Sequence, residues 1–400
     1  MTEFQDDTTE TGARGAGAQG QTPPHPLTGV RVVDFSHVLS GPYCTMLLAD
    51  LGAEVIKIER PGTGDENRRM RSYEGRSAGD EDYFYPMNRN KKSVELNLKD
   101  EADHARALKL IEGADVVVEN FTPGTMAKLS LDYATLSAAN PGLIYCSISG
   151  YGQTGPYRDR KAYDSIVQAV CGVMSITGEK NGPPVRSGLM FGDLSGALYA
   201  FSSIMVSLFA RERTGKGTYI DLAMADALLS LFSTNAAEYL AVGKPPHRAG
   251  SENPGRSPTG SYLCADDRYV QVMGGSDRLW GHFCNATGLD DLRDDPRFSS
   301  NEARIKNRDA LRARLEPVFR ERAAHEWVNR LSEHGCPAAR INTLDEALAD
   351  AQFQHRQMQL PLEHPASGQI HTINNPFRFS AWSTWRDAPP PLLGQHNGDY

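Results

Sequence analysis

The stretch VRVVDFSHVLSGPYCTMLLADLGAEVIKIE at residues 30–59 decides the fold. It opens with an apolar, β-branched run typical of a buried strand (30–35) and continues with a helical pattern (41–51). It closes with a second buried run (53–59). Two buried strands joined by a helix of this length predict parallel pairing through a right-handed crossover. The stretch therefore predicts an α/β fold.

The same alternation continues along the first half of the chain. Further strands are predicted at 93–98, 114–118 and 143–148, with a helical pattern at 101–111. No GxGxxG follows the first strand, so the dinucleotide fingerprint is absent. These patterns predict a Rossmann-like arrangement without a standard dinucleotide loop.

A chain of 400 residues exceeds the usual size of one compact domain, so we expect more than one domain. A Gly-, Pro- and Ser-rich stretch at 243–260 precedes a predicted hairpin and three helices. We therefore expect four segments, which are a disordered tail (1–26), a large Rossmann-like domain (27–244), a small α+β domain (245–350) and a C-terminal segment returning to the large domain (351–400).

Charge and cysteine usage limit the function classes. A net charge of -8 argues against sequence-independent nucleic-acid binding, which needs a basic face. The six cysteines form no CxxC pair and no Cys/His zinc spacing, which indicates reduced thiols, no metal and a cytoplasmic enzyme. The uncharged run 194–210 is near the lower length for a membrane span, but Asp193 and Arg211 bracket it. We expect a helix buried in a large core and no membrane association.

Asp193 is the first candidate for chemistry. Gly192 precedes it, and an apolar helix is predicted to begin near Ser195. An Asp at the mouth of a helix usually caps it, and the local pattern alone favours that role. The alternative is a nucleophilic carboxylate that the helix end keeps ionised.

Other candidates follow predicted strands. Arg60 comes directly after the strand 53–59, where ligands of parallel sheets gather, and Asn120 and Phe121 follow the strand 114–118. Basic side chains near these strand ends would suit the phosphates of a nucleotide. They are Arg68, Arg69, Arg71, Arg89, Lys91 and Lys92. The alternative is that Arg60 and the basic residues are solvated on the surface. Asn120 would then be a turn residue, and Phe121 would be part of the core.

Seven motifs occur in an order that resembles the class III CoA-transferases, a group that includes formyl-CoA transferase, carnitine CoA-transferases and 2-methylacyl-CoA racemases. The motifs are DFSHVLSGP, IERPGTGD, NRNKKSVELNL, VENFTPGTM, KAYDSIVQAVCGVM, GDLSGA and TGKGTYIDLAMADA. The resemblance runs from about Leu27 to about Asn397. It implies a Rossmann-like large domain, a smaller domain, and a homodimer whose chains interlock like linked rings.

The resemblance also implies roles for individual residues. Asp193 in GDLSG takes the place of the nucleophilic aspartate. The positions implied to line the CoA site are Val38, Arg60, Leu96, Asn120, Phe121, Lys128, Lys161 and Met224. Lys128 replaces an arginine of formyl-CoA transferase, which keeps the charge and loses the bidentate geometry.

The implied activity is transfer of CoA from an acyl-CoA thioester to a carboxylic acid, through mixed anhydrides and an aspartyl-CoA intermediate on Asp193. Coenzyme A enters as a substrate, and no tightly bound cofactor is expected. Leu39 and the loop 250–260 differ from the formyl-CoA enzymes, which argues against oxalate and formate as the acid pair. Arg186 and Arg256 are candidates to bind the far carboxylate of a dicarboxylic acid, with succinyl-CoA as donor, or else contact CoA phosphates or solvent.

Two alternatives stay open. A 2-methylacyl-CoA racemase would exchange an α-proton with a His–Asp pair, but Tyr163 stands at the histidine's place. Tyrosine, with a reference pKa of about 10, is a poor acid/base group near neutral pH. A non-catalytic CoA-binding protein is the second alternative, and the intact GDLSG motif speaks against it.

Overall fold

The structure is a computed structural model that describes residues 25–70, 73, 81–384 and 386–400. The expectations for most of the N-terminal tail and for Arg71 lie outside the described residues. The chain divides into two compact units. The first holds the chain up to Cys171 together with Leu189–Leu231 and Gln354–Tyr400, and the second holds Gly172–Gly188 and Phe232–Phe353.

The secondary structure alternates strands and helices through the first half of the chain. The strands are β1 (Arg31–Asp34), β2 (Glu54–Glu59), β3 (Lys91–Glu95), β4 (Val116–Glu119), β5 (Ile144–Ser149), β6 (Thr218–Ala223), β7 (Thr259–Leu263), β8 (Tyr269–Met273), β9 (Ala338–Arg340), β10 (Gln359–His364) and β11 (Gly368–Ile373). The helices are α1 (Ser40–Asp50), α2 (Tyr85–Asn88), α3 (Glu101–Glu112), α4 (Thr125–Lys128), α5 (Tyr133–Ala139), α6 (Asp164–Val170), α7 (Val173–Ile176), α8 (Phe191–Thr214), α9 (Met224–Ser230), α10 (Ala237–Val242), α11 (Asp277–Thr287), α12 (Asn301–Lys306), α13 (Arg308–Phe319), α14 (Ala324–Glu333), α15 (Leu344–Ala349) and α16 (Ala351–His355).

The first unit is built on a six-stranded sheet with the order β3-β2-β1-β4-β5-β6. Its neighbouring strands all pair in parallel, with Val33 opposite both Ile56 and Val117. The β-branched runs that predicted strands are buried, as expected where helices cover both faces of a parallel sheet. The α/β prediction is confirmed. The strand order reverses between β1 and β4, and such a switch point is where ligands of open parallel sheets bind.

The C-terminal residues cover the edge of this sheet that β3 forms. The backbone N–H of His396 donates to the Ser93 carbonyl at 3.0 Å, and the Ser93 N–H donates to the His396 Nδ1 at 3.1 Å. The side chain of Asn397 accepts from the Glu95 N–H at 2.8 Å. These contacts satisfy backbone groups that an uncovered edge strand would offer to another chain.

The second unit has an antiparallel sheet, β7-β8-β9, against which α11, α13 and α14 pack. Its buried core is rich in aromatic side chains, including Trp280, Phe283, Phe319 and Trp327. The predicted hairpin at β7 and β8 is confirmed. The units differ from the predicted domains at three segments, because residues 172–188, 232–244 and 351–353 group with the second unit. The predicted domains themselves stay a prediction.

Two apolar runs do not fold as single, fully buried helices. The run 225–242 is not one helix, because α9 ends at Ser230 and a 3₁₀ turn at Ser233–Ala236 precedes α10. Ser, Thr and Asn in that turn compete with helical hydrogen bonds. Helix α8 is apolar and long enough to cross a membrane, yet only 33% of its most apolar stretch of 18 residues is buried. Its inner face packs on α1, β5 and β6, so it is not buried all round in the single chain.

Candidate active site

A cavity of about 490 Å³ opens at the carboxyl ends of β1, β2, β3 and β4 in the first unit. This volume lies within the range of roughly 300–1,000 Å³ that is typical of small-molecule sites. Three of the predicted CoA-site residues line it, namely Arg60, Leu96 and Phe121. Each follows the end of a different strand, so the parallel sheet brings together residues far apart in sequence. The position at the β1/β4 switch point and the lining both fit a nucleotide-sized ligand.

His37 lines the same cavity, and sequence reasoning left it without a role. Its ring lies 5.3 Å from the ring of Phe121 between centroids. The Asn120 side chain holds the His37 backbone from both sides, accepting from its N–H at 2.9 Å and donating to its carbonyl at 2.8 Å. Asn120 therefore fixes the cavity wall, and its amide is already engaged. The signal that the sequence offered for this part of the site was the pair of motifs SHV and ENF. They lie far apart in the sequence, and only the fold shows that they meet.

Val38 has a backbone φ of 67°, which is unusual for a β-branched residue. Its N–H donates to the two carboxylate oxygens of Asp65 at 3.2 and 3.3 Å, and its carbonyl accepts from the Asn67 side chain at 2.5 Å. Val38 is thus placed beside the cavity through its backbone, immediately after His37. Its own N–H points to Asp65 and not to a ligand.

The remaining predicted CoA-site residues do not line this cavity. Lys128 is exposed at the end of α4, although Thr125 and Leu129 on either side of it line the cavity. Lys161 is exposed in the loop before α6. Met224 is buried at the start of α9. The structure therefore brings together three of the eight predicted positions at the cavity, and places Val38 and Asn120 directly behind its wall.

Several of the basic residues proposed for phosphates are instead buried in ion pairs. Arg68 pairs with Glu59 at 2.7 Å, Arg89 with Asp50 at 2.7 Å, and Lys91 with Asp34 at 3.1 Å. That part of the expectation is wrong, because these cations neutralise carboxylates inside the fold. Arg60, Arg69 and Lys99 are the cations that line the cavity without a buried partner in the part of the chain described. Together with the exposed Glu66, which also lines the cavity, they give the rim a net positive charge suited to anionic groups.

Asp193 lies in the first turn of α8, which begins at Phe191 and not near Ser195. The helix end is capped by another residue, because the Asp164 carboxylate accepts from the Gly192 N–H at 2.8 Å. Gln168 donates to the second oxygen of Asp164 at 2.7 Å and holds it in place. The expectation that Asp193 caps α8 is therefore wrong. The Asp193 carboxylate does not cap the helix, because Asp164 does so.

The pKa of Asp193 is raised to about 6, first by burial and then by the nearby charge of Asp164. The expectation that the helix end favours ionisation is outweighed, since burial penalises the charged form more strongly. A half-buried carboxylate with a raised pKa is more basic and more nucleophilic than an ordinary aspartate.

Gly196 allows close approach of three elements around Asp193. A Cβ at Gly196 would lie 2.9 Å from the Met224 Cγ and 3.0 Å from the Ser40 Oγ. The Ser40 hydroxyl, at the start of α1, donates to the Asp193 carbonyl at 3.0 Å. Gly196, the second glycine of GDLSG, therefore allows the start of α1 to pack against the turn that carries Asp193. Met224, predicted to contact CoA, packs against this glycine.

The fold and the cavity define an α/β protein with a ligand-binding crevice at the topological switch point of its sheet. A protein-family model described as CoA-transferase family III matches residues 27–397. The chain is 40% identical over 369 residues to the acetyl-CoA:oxalate CoA-transferase of Acetobacter aceti, covering 92% of this chain and 92% of that protein. It is 38% identical over 372 residues to the human succinyl-CoA:glutarate CoA-transferase, covering 93% of this chain and 84% of that protein.

A solved structure described as a CAIB/BAIF family protein from Brucella suis superposes with a TM-score of 0.84. It is 36% identical, and the match covers 94% of this chain and 98% of that one. The chain therefore belongs to family III of the CoA-transferases. It is an enzyme that moves CoA from an acyl-CoA thioester to a carboxylic acid.

Proposed function

We propose that Asp193 is the nucleophile of this CoA-transferase and that the cavity beside His37 and Phe121 binds the CoA portion of the thioester. The observation that carries the proposal is the carboxylate of Asp193, which is half-buried, raised in pKa and free of the helix cap that Asp164 supplies. The hydrogen bond from Ser40 joins the turn that carries Asp193 to the loop 35–39, which connects β1 to α1 and forms part of the cavity wall. Both parts of the site belong to the first unit.

The reaction conserves the free energy of the thioester because each intermediate is itself an activated acyl group. The Asp193 carboxylate attacks the donor carbonyl, the C–S bond breaks, and a mixed anhydride forms while CoA leaves as the thiolate. The thiolate then attacks the Asp193 carbonyl of the anhydride, giving an aspartyl-CoA thioester and the free donor acid. The acceptor carboxylate repeats the two steps in reverse order, which regenerates Asp193.

Each tetrahedral step develops an oxyanion, and one donor aimed at such an oxygen contributes about 3–4 kcal/mol in comparable sites. The anhydride carbonyls must also be shielded from water, because hydrolysis would waste the thioester. Burial of Asp193 serves this second need and is also the main cause of its raised pKa.

Mass spectrometry tests the proposal directly. The enzyme mixed with succinyl-CoA and quenched should carry one CoA adduct, which peptide mapping places on Asp193. α-Deuterium exchange into a 2-methylacyl-CoA without any adduct would favour the racemase alternative instead. CoA binding with neither adduct nor exchange would favour a non-catalytic CoA-binding protein.

The pH dependence of kcat/KM follows from the pKa of Asp193, which is raised to about 6. The attacking form is the carboxylate, so activity should be level above pH 7 and fall about tenfold per unit below pH 6. Initial rates between pH 4.5 and 8.5, with the enzyme returned to pH 7.5 as a control for denaturation, check this. A level profile down to pH 4.5 would contradict the assignment.

Arg60 is proposed to contact a phosphate of CoA, because it is an exposed cation on the cavity rim. The variant Arg60→Ala should raise the KM for succinyl-CoA about tenfold and change kcat less than twofold, the pattern of lost ground-state binding. Arg106→Ala is a matched control, since that arginine pairs with Asp103 away from the cavity lining. An equal effect of both variants would contradict a specific contact.

We propose succinyl-CoA as donor and a dicarboxylic acid of four to six carbons as acceptor, with CoA as a substrate only. Support comes from the name of the human relative, which pairs succinyl-CoA with glutarate. Arg186 and Arg256 are both exposed, and an arginine can bind a carboxylate in a bidentate manner. A panel of acids from oxalate to adipate tests this, and oxalate is included because the Acetobacter aceti relative is named for it. Monocarboxylates accepted as well as dicarboxylates would contradict it.

A homodimer, with the interlocked chains implied by the resemblance, is also proposed, as is a cytoplasmic location without nucleic-acid or membrane partners. Support for the dimer comes from the outer face of α8, where Leu198, Val206 and Phe209 are 48%, 67% and 60% exposed. Several large apolar side chains exposed along one helix are typical of a protein interface. Light scattering after size exclusion should give about twice the chain mass, and a monomer would contradict the proposal.

A further inference from the structure

One of the charges in the cavity lining is fully buried. Lys57 of β2 is fully buried, and its Nζ lies 2.9 Å from the Asp65 carboxylate. The same Nζ donates to the Ser36 carbonyl at 2.6 Å. Lys57 therefore joins the residue before His37 to the carboxylate that holds Val38.

Asp65 is fixed from three further directions. Its N–H donates to the Glu59 carboxylate at 3.0 Å, and its Oδ1 accepts from the Asn67 N–H at 3.0 Å. Its carboxylate also accepts from the Val38 N–H. Attraction to Lys57 helps to keep the pKa of Asp65 below its usual value despite burial. Asp65 is thus a rigid anion that receives the Val38 backbone.

Val38 does not adopt its φ of 67° by preference. A β-branched residue in the left-handed region is strained, and such conformations persist only when the surroundings over-determine them. Here Asp65 holds the N–H and Asn67 holds the carbonyl of this one residue. The strain is therefore imposed on the loop by groups outside it.

The loop connects both halves of the candidate site. On one side of Val38, Ser36 and His37 line the cavity, and on the other side Ser40 donates to the Asp193 carbonyl. A return of Val38 to negative φ would redirect the chain between these two contacts. Displacements of about 1 Å in an active site can cost about a hundredfold in rate.

We propose that the buried Lys57–Asp65 pair is a positioning device that holds Val38 in its left-handed conformation and thereby fixes the cavity wall relative to the turn of Asp193. The inference deepens the proposed function and depends on it for the roles of the cavity and Asp193. Lys57 and Asp65 both contribute to the cavity lining, and the role proposed for them is that of positioning residues that act through the Val38 backbone.

The test compares Lys57→Met with a glycine rescue. We expect Lys57→Met to weaken CoA binding and to lower kcat/KM for succinyl-CoA at least tenfold. Adding Val38→Gly should recover a large part of both losses, because glycine adopts positive φ without strain. The matched control adds Gln357→Gly, which removes another positive-φ side chain (φ 50°) in the first unit, away from the loop. It should recover neither loss.

Three results would overturn the inference. They are an unchanged kcat/KM in Lys57→Met, failure of Val38→Gly to rescue it, and equal rescue by Gln357→Gly. If Lys57→Met does not fold by circular dichroism, Asn67→Ala replaces it, since that change removes only the donor to the Val38 carbonyl. Calorimetric titration with CoA separates the two proposals. A wild type that binds CoA without forming the Asp193 adduct refutes the nucleophile, while the rescue of binding still decides the role of Lys57.

Discussion

The variant Asp193→Asn is expected to lose CoA transfer by about 10³-fold or more while it still binds CoA. The amide keeps the shape of the side chain but cannot form the anhydride, and removal of a covalent nucleophile costs factors of this size. Steady-state transfer from succinyl-CoA and calorimetric binding of CoA measure the two parts. The matched control is Asp226→Asn, an exposed aspartate of α9 in the same unit, which should leave turnover within twofold. Normal turnover in Asp193→Asn would refute the assignment of the nucleophile.

The same variant should be more stable than the wild type at pH 7.5. The pKa of Asp193 rises from 3.8 to about 6 on folding, so the folded chain binds more protons than the unfolded chain in that window and loses stability as the pH rises through it. Removing the charge should restore about 1–3 kcal/mol above pH 6 after allowance for solvent screening, and nothing below pH 4. Thermal unfolding at both pH values measures the difference. Equal stabilisation at both would mean that ionisation is not the cause.

The variant Lys91→Met should destabilise the first unit by about 3–5 kcal/mol, because it leaves the buried Asp34 carboxylate without its closest cation. The Lys91 Nζ lies 3.1 Å from Asp34 and also donates to the Pro42 carbonyl and the Asn88 side chain, both at 2.9 Å. The pKa of Asp34 is about 2 despite full burial, since Lys91 and Lys57 both favour its charged form. Chemical denaturation measures the loss.

A second substitution separates charge from packing. In the double variant Lys91→Met/Asp34→Asn the orphan charge is gone. The Asn Oδ1 can still accept from the Ser36 hydroxyl, which now donates to the Asp34 Oδ1 at 2.5 Å. The Asn NH₂ takes the place of the Oδ2 that accepts from the Thr45 hydroxyl at 2.6 Å, and it would donate to that hydroxyl instead. We expect the double variant to recover about half of the lost stability. No recovery would show that Lys91 contributes through packing and its neutral acceptors. As a surface comparison, Lys180→Met removes a pair at 3.4 Å and should change stability by less than about 0.5 kcal/mol.

Much of the fold was predictable because burial on a parallel sheet leaves a strong local pattern. The β-branched runs around Val33, Ile56 and Val117 lie in buried strands that the sequence placed within one or two residues. Arg60, Leu96 and Phe121 were predicted at the CoA site, and they reach one cavity because parallel strands end at the same edge of a sheet. The family was also readable, since seven motifs keep their order along the chain.

The roles of individual charged residues were not predictable in the same way. Asp193 and Asp164 both stand near the start of a helix in the sequence, and the local pattern favoured Asp193 as a cap. Only the packing of α6 against α8 brings Asp164 to the Gly192 N–H, 28 residues away. Arg68, Arg89 and Lys91 had the charge for phosphate binding, but the fold buries each against a carboxylate.

The sequence by itself therefore determined the α/β class, the order of the strands along the chain and membership of the family, because these depend on local hydrophobic period and on motif order. The tertiary structure decided which carboxylate caps α8, which cations remain free at the cavity, and how Lys57 and Asp65 hold Val38 in a left-handed conformation. The physical reason is that pKa, ion pairing and backbone strain depend on neighbours in space. Those neighbours come from strands and helices far apart in the chain.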